Sequence, residues 1–443
     1  MTLVSTFVDL VQQVSWVMTQ PTFDSFLIVL CGWVFARRRT VTGMILAAGA
    51  VRASSNRRRS KHHSAFHRLF ANARWSLDQL GLAVFALILP WLDEDSIFLA
   101  LDDTLARKRG LKVFGVGIHH DPLLSTRKTA IMNWGHSWVV LGVIARFPFC
   151  TEKYFCLPIL FRLYVSKQTV AKQGGTYRKR SQLAVEMLEV LCKAHEHRRF
   201  HVVADSAYGG KTVYQHLPVN CDLTSRLDLD ARLYEAPPMH KSGTNGRPRK
   251  RGKRLPTPRQ LLANRCRRIT LNIYGRRDRS RVADQSAYLY AMPDRAVRVV
   301  AVEPLTGGRT PQAFFSTCHD AAPESILTWY AMRWSIEEMF HDAKGSLGFE
   351  EPQGWTKRAV ERTAPTAMLL YGLIVLWFAS VGHRLYRAPQ RPWYRGKSRP
   401  SFADMLATLR QQSVREQVSS LRPQGRGSRN LVKSLLHAVQ QAA

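Results

Sequence analysis

Apolar and polar positions follow helical spacing at both ends of this chain and strand-like runs in its middle. Up to about residue 90, apolar residues recur at helical intervals between basic ones, as in AGAVRASSNRRRSKHHSAFHRLFANARWSLDQL, which predicts an all-α unit over 1–92. SIFLALDD then reads as a short buried strand ending in acids. KVFGVGIHH and HSWVVLGVIAR read as two further strands, rich in Val and Ile and joined by a polar loop. Gln182 to His197 has helical periodicity, and HVVAD and CDLTSRL are short strands after it. From about Asp228 to Cys318 a Gly/Pro/Arg/Lys-rich loop, GTNGRPRKRGKRLPTP, opens a segment of β-like runs: RRITLNIYG, SAYLYAMP, VRVVAVEPL and PQAFFSTC. A helical stretch around WYAMRWSIEEMFHDAK and the apolar run AMLLYGLIVLWFASVG follow. A basic, proline-containing linker then leads to a last helical segment from Phe402.

The stretch around residue 330 carries the sharpest spacing. Tyr330, Arg333, Glu337 and Lys344 stand at offsets of 3, 7 and 14 from the tyrosine. At about 100° per residue those offsets fall near 300°, 340° and 320°, a shared arc of about 60° on one helix face. Met332, Ile336, Met339, Phe340, Ala343 and Leu347 occupy the adjoining arc and read as the buried stripe. Glu338 falls near 80°, away from Arg333 and Lys344, so Glu337 is the acid of that face. His341 lies near 20°, on the same face.

Composition changes the picture through charge. The 443 residues include 65 Lys plus Arg against 32 Asp plus Glu, a net charge of +33. A field that positive calls for a polyanionic partner, nucleic acid first. The charge is clustered. No acid occurs from Ser25 to Leu77, where Arg57, Arg58 and Arg59 form one of two basic knots. None occurs from Lys241 to Arg277, which holds Arg247, Arg249, Lys250, Arg251, Lys253 and Arg254. A third basic stretch runs from Arg384 to Arg399. Three separated zones imply a long contact track. The seven scattered cysteines include no CxxC, which argues against a disulfide framework or structural zinc. His62/His63, His119/His120 and the His195–His197 run lack a matching partner set for zinc. The run at 367–382 has 16 residues, short of the roughly 20 a bilayer needs. It reads as a buried core helix, with no membrane partner, and no signal peptide is recognisable.

Candidate chemistry rests on acids at strand ends. Asp102 and Asp103 end the first middle strand, Asp205 ends HVVAD, and Glu337 sits on the late helix. Two strand-end carboxylates and one on a packed helix can converge on divalent cations, since Mg²⁺ prefers oxygen ligands and keeps several waters. Taken singly, such acids more often cap helices or form turns. Their joint occurrence in a very basic chain outweighs that. Trp134, Trp334 and Trp355 could stack on an unpaired base, with burial in the core as the favoured reading.

The pattern Y-x2-R-x3-E-x6-K, filled by Tyr330, Arg333, Glu337 and Lys344, resembles the signature of bacterial insertion-sequence transposases of the DDE class. LALDDTLARKRG and HVVADSAYGG resemble the first and second aspartate motifs of that group, and NWGHSWVVLG, GRPRKRGKRLP and PWYRGKSRPSFADMLATLR add to the likeness. The strand and helix order matches an RNase H-like core. The resemblance implies an α/β fold: a helical N-terminal DNA-binding domain (1–92), an RNase H-like core in two parts (93–227 and 319–383), a basic β-rich insertion (228–318) and a basic linker with a C-terminal helical segment (384–443). It implies Asp102, Asp205 and Glu337 as catalytic and metal-holding residues, with Mg²⁺ or Mn²⁺. Asp102 is preferred to its neighbour Asp103 because the family places its aspartate directly after the apolar strand. Tyr330, Arg333 and Lys344 would hold the DNA end, joined by the basic residues named above. Members cut transposon ends and join the 3′-OH to target DNA, as homodimers pairing two ends of double-stranded DNA in the bacterial cytoplasm at the nucleoid. A regulator that binds without cutting and a nuclease that cuts without joining are the alternatives.

Overall fold

The computed structural model describes residues 1–50, 61–92, 96–126, 128–238, 249–273, 276–305, 310–388, 397 and 399–420. Arg57, Arg58, Arg59 and Arg247 lie outside the described residues.

A mixed sheet, twelve-stranded among the described residues, runs through the molecule. Its first part holds β1 (Ile97–Arg107), β2 (Gly117–His120), β3 (Met132–Phe147), β4 (Cys150–Tyr164), β5 (Phe200–Ala204) and β6 (Cys221–Leu227). β4 pairs with β3 and β3 with β1, both antiparallel. β5 and β6 continue the sheet parallel to β1. Three antiparallel strands followed by two parallel to the first is the order expected of an RNase H-like core.

Two strand expectations need correction. KVFGVGIHH contributes only the four-residue β2, and the third long antiparallel strand is CTEKYFCLPILFRLY, which sequence patterning did not single out. Both faces of β4 are covered over most of its length, so no polar alternation marks it. Pro158 adds to the disguise. It sits where the β3–β4 register shifts, a bulge being one of the places a sheet tolerates proline.

The remaining strands, β7 (Leu233–Tyr234), β8 (Arg254–Leu255), β9 (Arg267–Ile273), β10 (Arg276–Leu289), β11 (Met292–Pro304) and β12 (Gln312–Ser316), lengthen the same sheet. β12 pairs antiparallel with β6, β11 with β12, and β10 with β11. The segment 228–318 is thus joined rung by rung to β6.

Helices cover both faces. α1 (Ser5–Gln12), α2 (Gln20–Phe35), α3 (Val41–Ala47), α4 (His63–Ala71) and α5 (Leu77–Ile88) form the N-terminal layer. α6 (Lys167–Gln173), α7 (Arg180–Ala194), α8 (Lys211–Gln215) and α9 (Pro258–Asn264) follow between strands. α10 (Pro323–Met332), α11 (Trp334–Leu347), α12 (Lys357–Trp377), α13 (His383–Leu385) and α14 (Phe402–Ser420) complete the chain. The continuous helical run Lys357–Leu385, which begins with α12, is long and apolar enough to cross a membrane by length and composition, yet 89% of its apolar window is buried inside the protein.

The buried side chains of α1 to α5 belong to one cluster with those of β4, α11, α12 and α14. Polar bolts tie that layer to the late helices. Arg362 on α12 donates to the carbonyls of Phe70, Ala73 and Trp75. The Trp33 indole on α2 donates to Leu347 O at 2.8 Å, at the end of α11, and the Arg39 backbone N–H donates to Glu351. A buried backbone carbonyl needs such a donor, so the N-terminal helices fix the far end of α11.

Candidate active site

The long helix expected over 330–344 is in fact two helices meeting at Arg333. The Ser335 hydroxyl takes the Met332 carbonyl at 2.8 Å. A side chain that captures a carbonyl three residues back competes with the α-helical bond there. The chain responds with a 3₁₀-like turn: Arg333 N–H bonds Tyr330 O and Ile336 N–H bonds Arg333 O. Arg333 itself keeps helical dihedrals, so Tyr330, Arg333 and Glu337 stay neighbours across the break. The buried stripe holds for Ile336, Met339, Phe340, Ala343 and Leu347, while Met332 is only partly buried.

The break sets Arg333 between two acids. Its Nη1 donates to Asp102 Oδ2 at 2.6 Å and its Nη2 to Glu337 Oε1 at 2.7 Å. The guanidinium is well buried, as is Asp102, while Glu337 is about one-third exposed. Burial pushes the Asp102 carboxyl up to about 7, against the pull of Arg333 and of the Asp103 backbone N–H. Burial also works against the Arg333 charge, but Asp102, Tyr330 and Glu337 outweigh it and hold the guanidinium firmly protonated. The two tendencies disagree about the contact. A 2.6 Å approach to a permanent cation favours an ionised Asp102 while Arg333 stays in place.

Asp103 points away from this pair. It accepts the Tyr208 hydroxyl at 2.8 Å and stands 3.4 Å from Arg180 of α7. Glu338 likewise leaves the site and pairs with Lys153 on β4 at 2.8 Å. Geometry therefore separates Asp102 from Asp103 and Glu337 from Glu338.

Asp205 follows β5 directly. Its Oδ1 accepts the Ser206 N–H at 2.7 Å, and its carbonyl accepts the Ser225 hydroxyl. Tyr330 links it to the pair. The phenol packs on Phe314 with ring centroids 4.4 Å apart, and Arg333 lies 5.5 Å from its ring. Burial raises the Tyr330 pKa, and Asp205 adds to that while Arg333 and Arg226 oppose it.

Lys344 stands apart from the others. Seven residues beyond Glu337 it is about 10 Å further along α11, 4.0 Å from Glu350. Burial lowers its pKa, with Glu350 opposing. Among the other basic candidates, Arg249, Lys250, Lys253 and Arg254 are exposed, and Arg251 lies 3.6 Å over the Tyr290 ring. His341 is exposed beside Asp342. The expected burial of the tryptophans is corrected. Trp355 is 67% exposed and Trp334 47%, and Trp134 is half-buried with its indole donating to Gly110 O.

Three residues that the sequence reading missed complete the surroundings. Tyr208 and Arg180 hold Asp103, and Arg226 on β6 faces Tyr330. Only the short spacing of Tyr208 from Asp205 hinted at one of them.

A family model described as DDE superfamily endonuclease matches residues 19–284. The chain belongs to that family. The matched span, more than half the chain, contains Asp102 and Asp205 and ends before Glu337. No curated protein matches the sequence. Membership carries transposase-type nuclease activity, a DNA substrate and a general use of divalent metals.

The donor set fits such a metal in part. Asp102 and Glu337 offer carboxylate oxygens, the ligands Mg²⁺ prefers, and one guanidinium already bridges the two. Asp205 does not join them, and among the described residues no three His, Cys, Asp or Glu side chains gather as a metal-holding group. The acids expected as one metal set are thus a pair bridged by Arg333, with a third acid level with Asp102 on the neighbouring strand.

Proposed function

We propose that this DDE endonuclease is a transposase that cleaves transposon ends and joins the freed 3′-OH to target DNA. One observation carries the reading. Asp102 and Arg333, 231 residues apart, meet at 2.6 Å with Glu337 on the same guanidinium, at the sheet end where β5 delivers Asp205.

In this reading Asp102, Asp205 and Glu337 hold Mg²⁺ or Mn²⁺ once Arg333 has turned away. When bound, two such ions activate the attacking water or 3′-hydroxyl and stabilise the leaving 3′-oxygen of an in-line displacement. Arg333 has a second use there. A guanidinium released from two carboxylates is a bidentate donor for a phosphate, so the arriving DNA gives it a new partner. Tyr330, packed between Phe314 and Arg333, sets where that arginine can swing. Lys344 adds a cation further along the same helix, and Arg249, Lys250, Arg251, Lys253 and Arg254 extend the basic track. The N-terminal helices of 1–92 supply DNA contacts of their own while bracing α11, and 228–318 acts as the basic β-rich insertion. The protein works as a homodimer pairing two ends, at the nucleoid of a bacterial cytoplasm.

The test is incubation with Mg²⁺ and a plasmid carrying candidate terminal repeats taken from the DNA on either side of the gene. Joined 3′-OH products are expected. Cleavage without joining would reduce the enzyme to a nuclease, and tight binding without cleavage would make it a regulator.

A further inference from the structure

β9 and β10 form a two-stranded ribbon whose faces differ sharply. Register pairs Arg268 with Arg281, Thr270 with Arg279 and Asn272 with Arg277, so these positions share one face. Arg268, Thr270, Arg277 and Arg279 are exposed, whereas Leu271, Asp278, Ser280 and Val282 on the other face are buried. Arg281 is already engaged by Glu303 and the Leu262 carbonyl, and Arg267 by Glu324. Arg268, Arg277 and Arg279 have no ion-pair partner among the described residues. Cations left bare on one face of a ribbon imply an anion from outside the chain.

Strand directions fix where that face stands. β6 is parallel to β5, and β12, β11 and β10 then alternate in direction. The start of β10 is therefore at the same sheet end as the close of β5, which carries Asp205. Following the rungs, Ala204 is level with Ser225, Phe315, Val299 and Gln285. At 3.4 Å per residue Arg279 stands about 20 Å beyond that level, and four strand spacings carry it about 19 Å sideways, roughly 28 Å in all. β11 supports β10 only as far as the Ser280–Pro304 rung, so the arginine end projects from the sheet edge.

The ribbon is also firmly based. Leu271 and Val282 pack in a small cluster with Val300, Phe314, Ile326 and Leu327, against which Tyr330 is partly buried. Whatever rests on the arginines is held in register with α10 and hence with Arg333.

We infer that the exposed face of this ribbon, through Arg268, Arg277 and Arg279, grips the backbone of duplex DNA about eight base pairs from the phosphate at the Asp205 end of β5. A duplex rises 3.4 Å per base pair along each strand, so roughly 28 Å is about eight pairs, and a two-stranded ribbon is a shape that the major groove of DNA admits. The narrow major groove of A-form RNA does not. The inference takes its polyanion from the proposed function and needs neither cleavage nor metal.

The test is binding of the full chain to a 30-base-pair DNA duplex in EDTA, followed by anisotropy across a salt series. In the variant Arg268→Ala/Arg277→Ala/Arg279→Ala the slope of log K against log salt is expected to flatten by about 2.7, at about 0.9 per phosphate lost. Lysine at the same three positions restores the slope, and circular dichroism checks that the variants are folded. An unchanged slope in a folded triple-alanine variant overturns the inference, as does a loss confined to duplex RNA. Failure of strand joining in the plasmid assay would leave this result standing.

Discussion

Arg333→Met is expected to let the DNA-free protein bind a divalent cation that the wild type binds poorly. Arg333 contributes the positive charge between Asp102 and Glu337, and methionine keeps an unbranched apolar stem without it. Removing one partner of a buried ion pair costs about 3–5 kcal/mol because the remaining charge is uncompensated. The variant should accordingly unfold earlier on heating and recover when Mn²⁺ is added. Titration with Mn²⁺, followed by the loss of its free electron-spin signal, should show affinity at least about tenfold tighter than wild type, a gain of about 1.4 kcal/mol. Burial opposes ionisation of Asp102, and without Arg333 that effect is less opposed, so Mn²⁺ binding should strengthen as pH rises above 7. Equal Mn²⁺ affinity in the two proteins would show that Arg333 does not occupy the cation position.

The second large effect separates neighbours. Asp102→Asn should lower the cleavage rate at least about 10²-fold, since changes one shell further out from a metal already cost 10–100-fold. Asp103→Asn disturbs only the Tyr208 hydroxyl and the Arg180 contact. That costs about 1–2 kcal/mol of stability and leaves the cleavage rate within a few-fold. Single-turnover cleavage rates measured on folded variants decide it, and the reverse pattern would move the active face to the α7 side.

Much of this site was legible before any coordinates. Asp205 does stand at the end of the run that becomes β5, whereas Asp102 and Asp103, expected at a strand end, lie inside β1, which runs on to Arg107. The spacing of Arg333 and Glu337 does put them side by side. Other features lay outside what patterning can show. β1 is covered on both faces, so alternation could not say whether Asp102 or Asp103 looks toward α11; the packing of α7 and α11 decides it. β4 hid because it is apolar on both faces and holds Pro158. The break at Arg333 depends on one hydroxyl, that of Ser335, choosing the Met332 carbonyl. Trp355 and Trp334 are exposed although large aromatics are usually at least partly covered, and no local pattern announced it. Only the register of β9 and β10 places their bare arginines on one face.

In the proposed function Glu337 works with Asp102 and Asp205 to cut DNA. The most direct measurement compares wild type and Glu337→Gln on a supercoiled plasmid carrying the terminal repeats, in Mg²⁺, with DNA binding followed in parallel. Wild type is expected to open the plasmid at the repeats, while Glu337→Gln binds it as well and leaves it supercoiled. Cleavage at the wild-type rate by Glu337→Gln would contradict it.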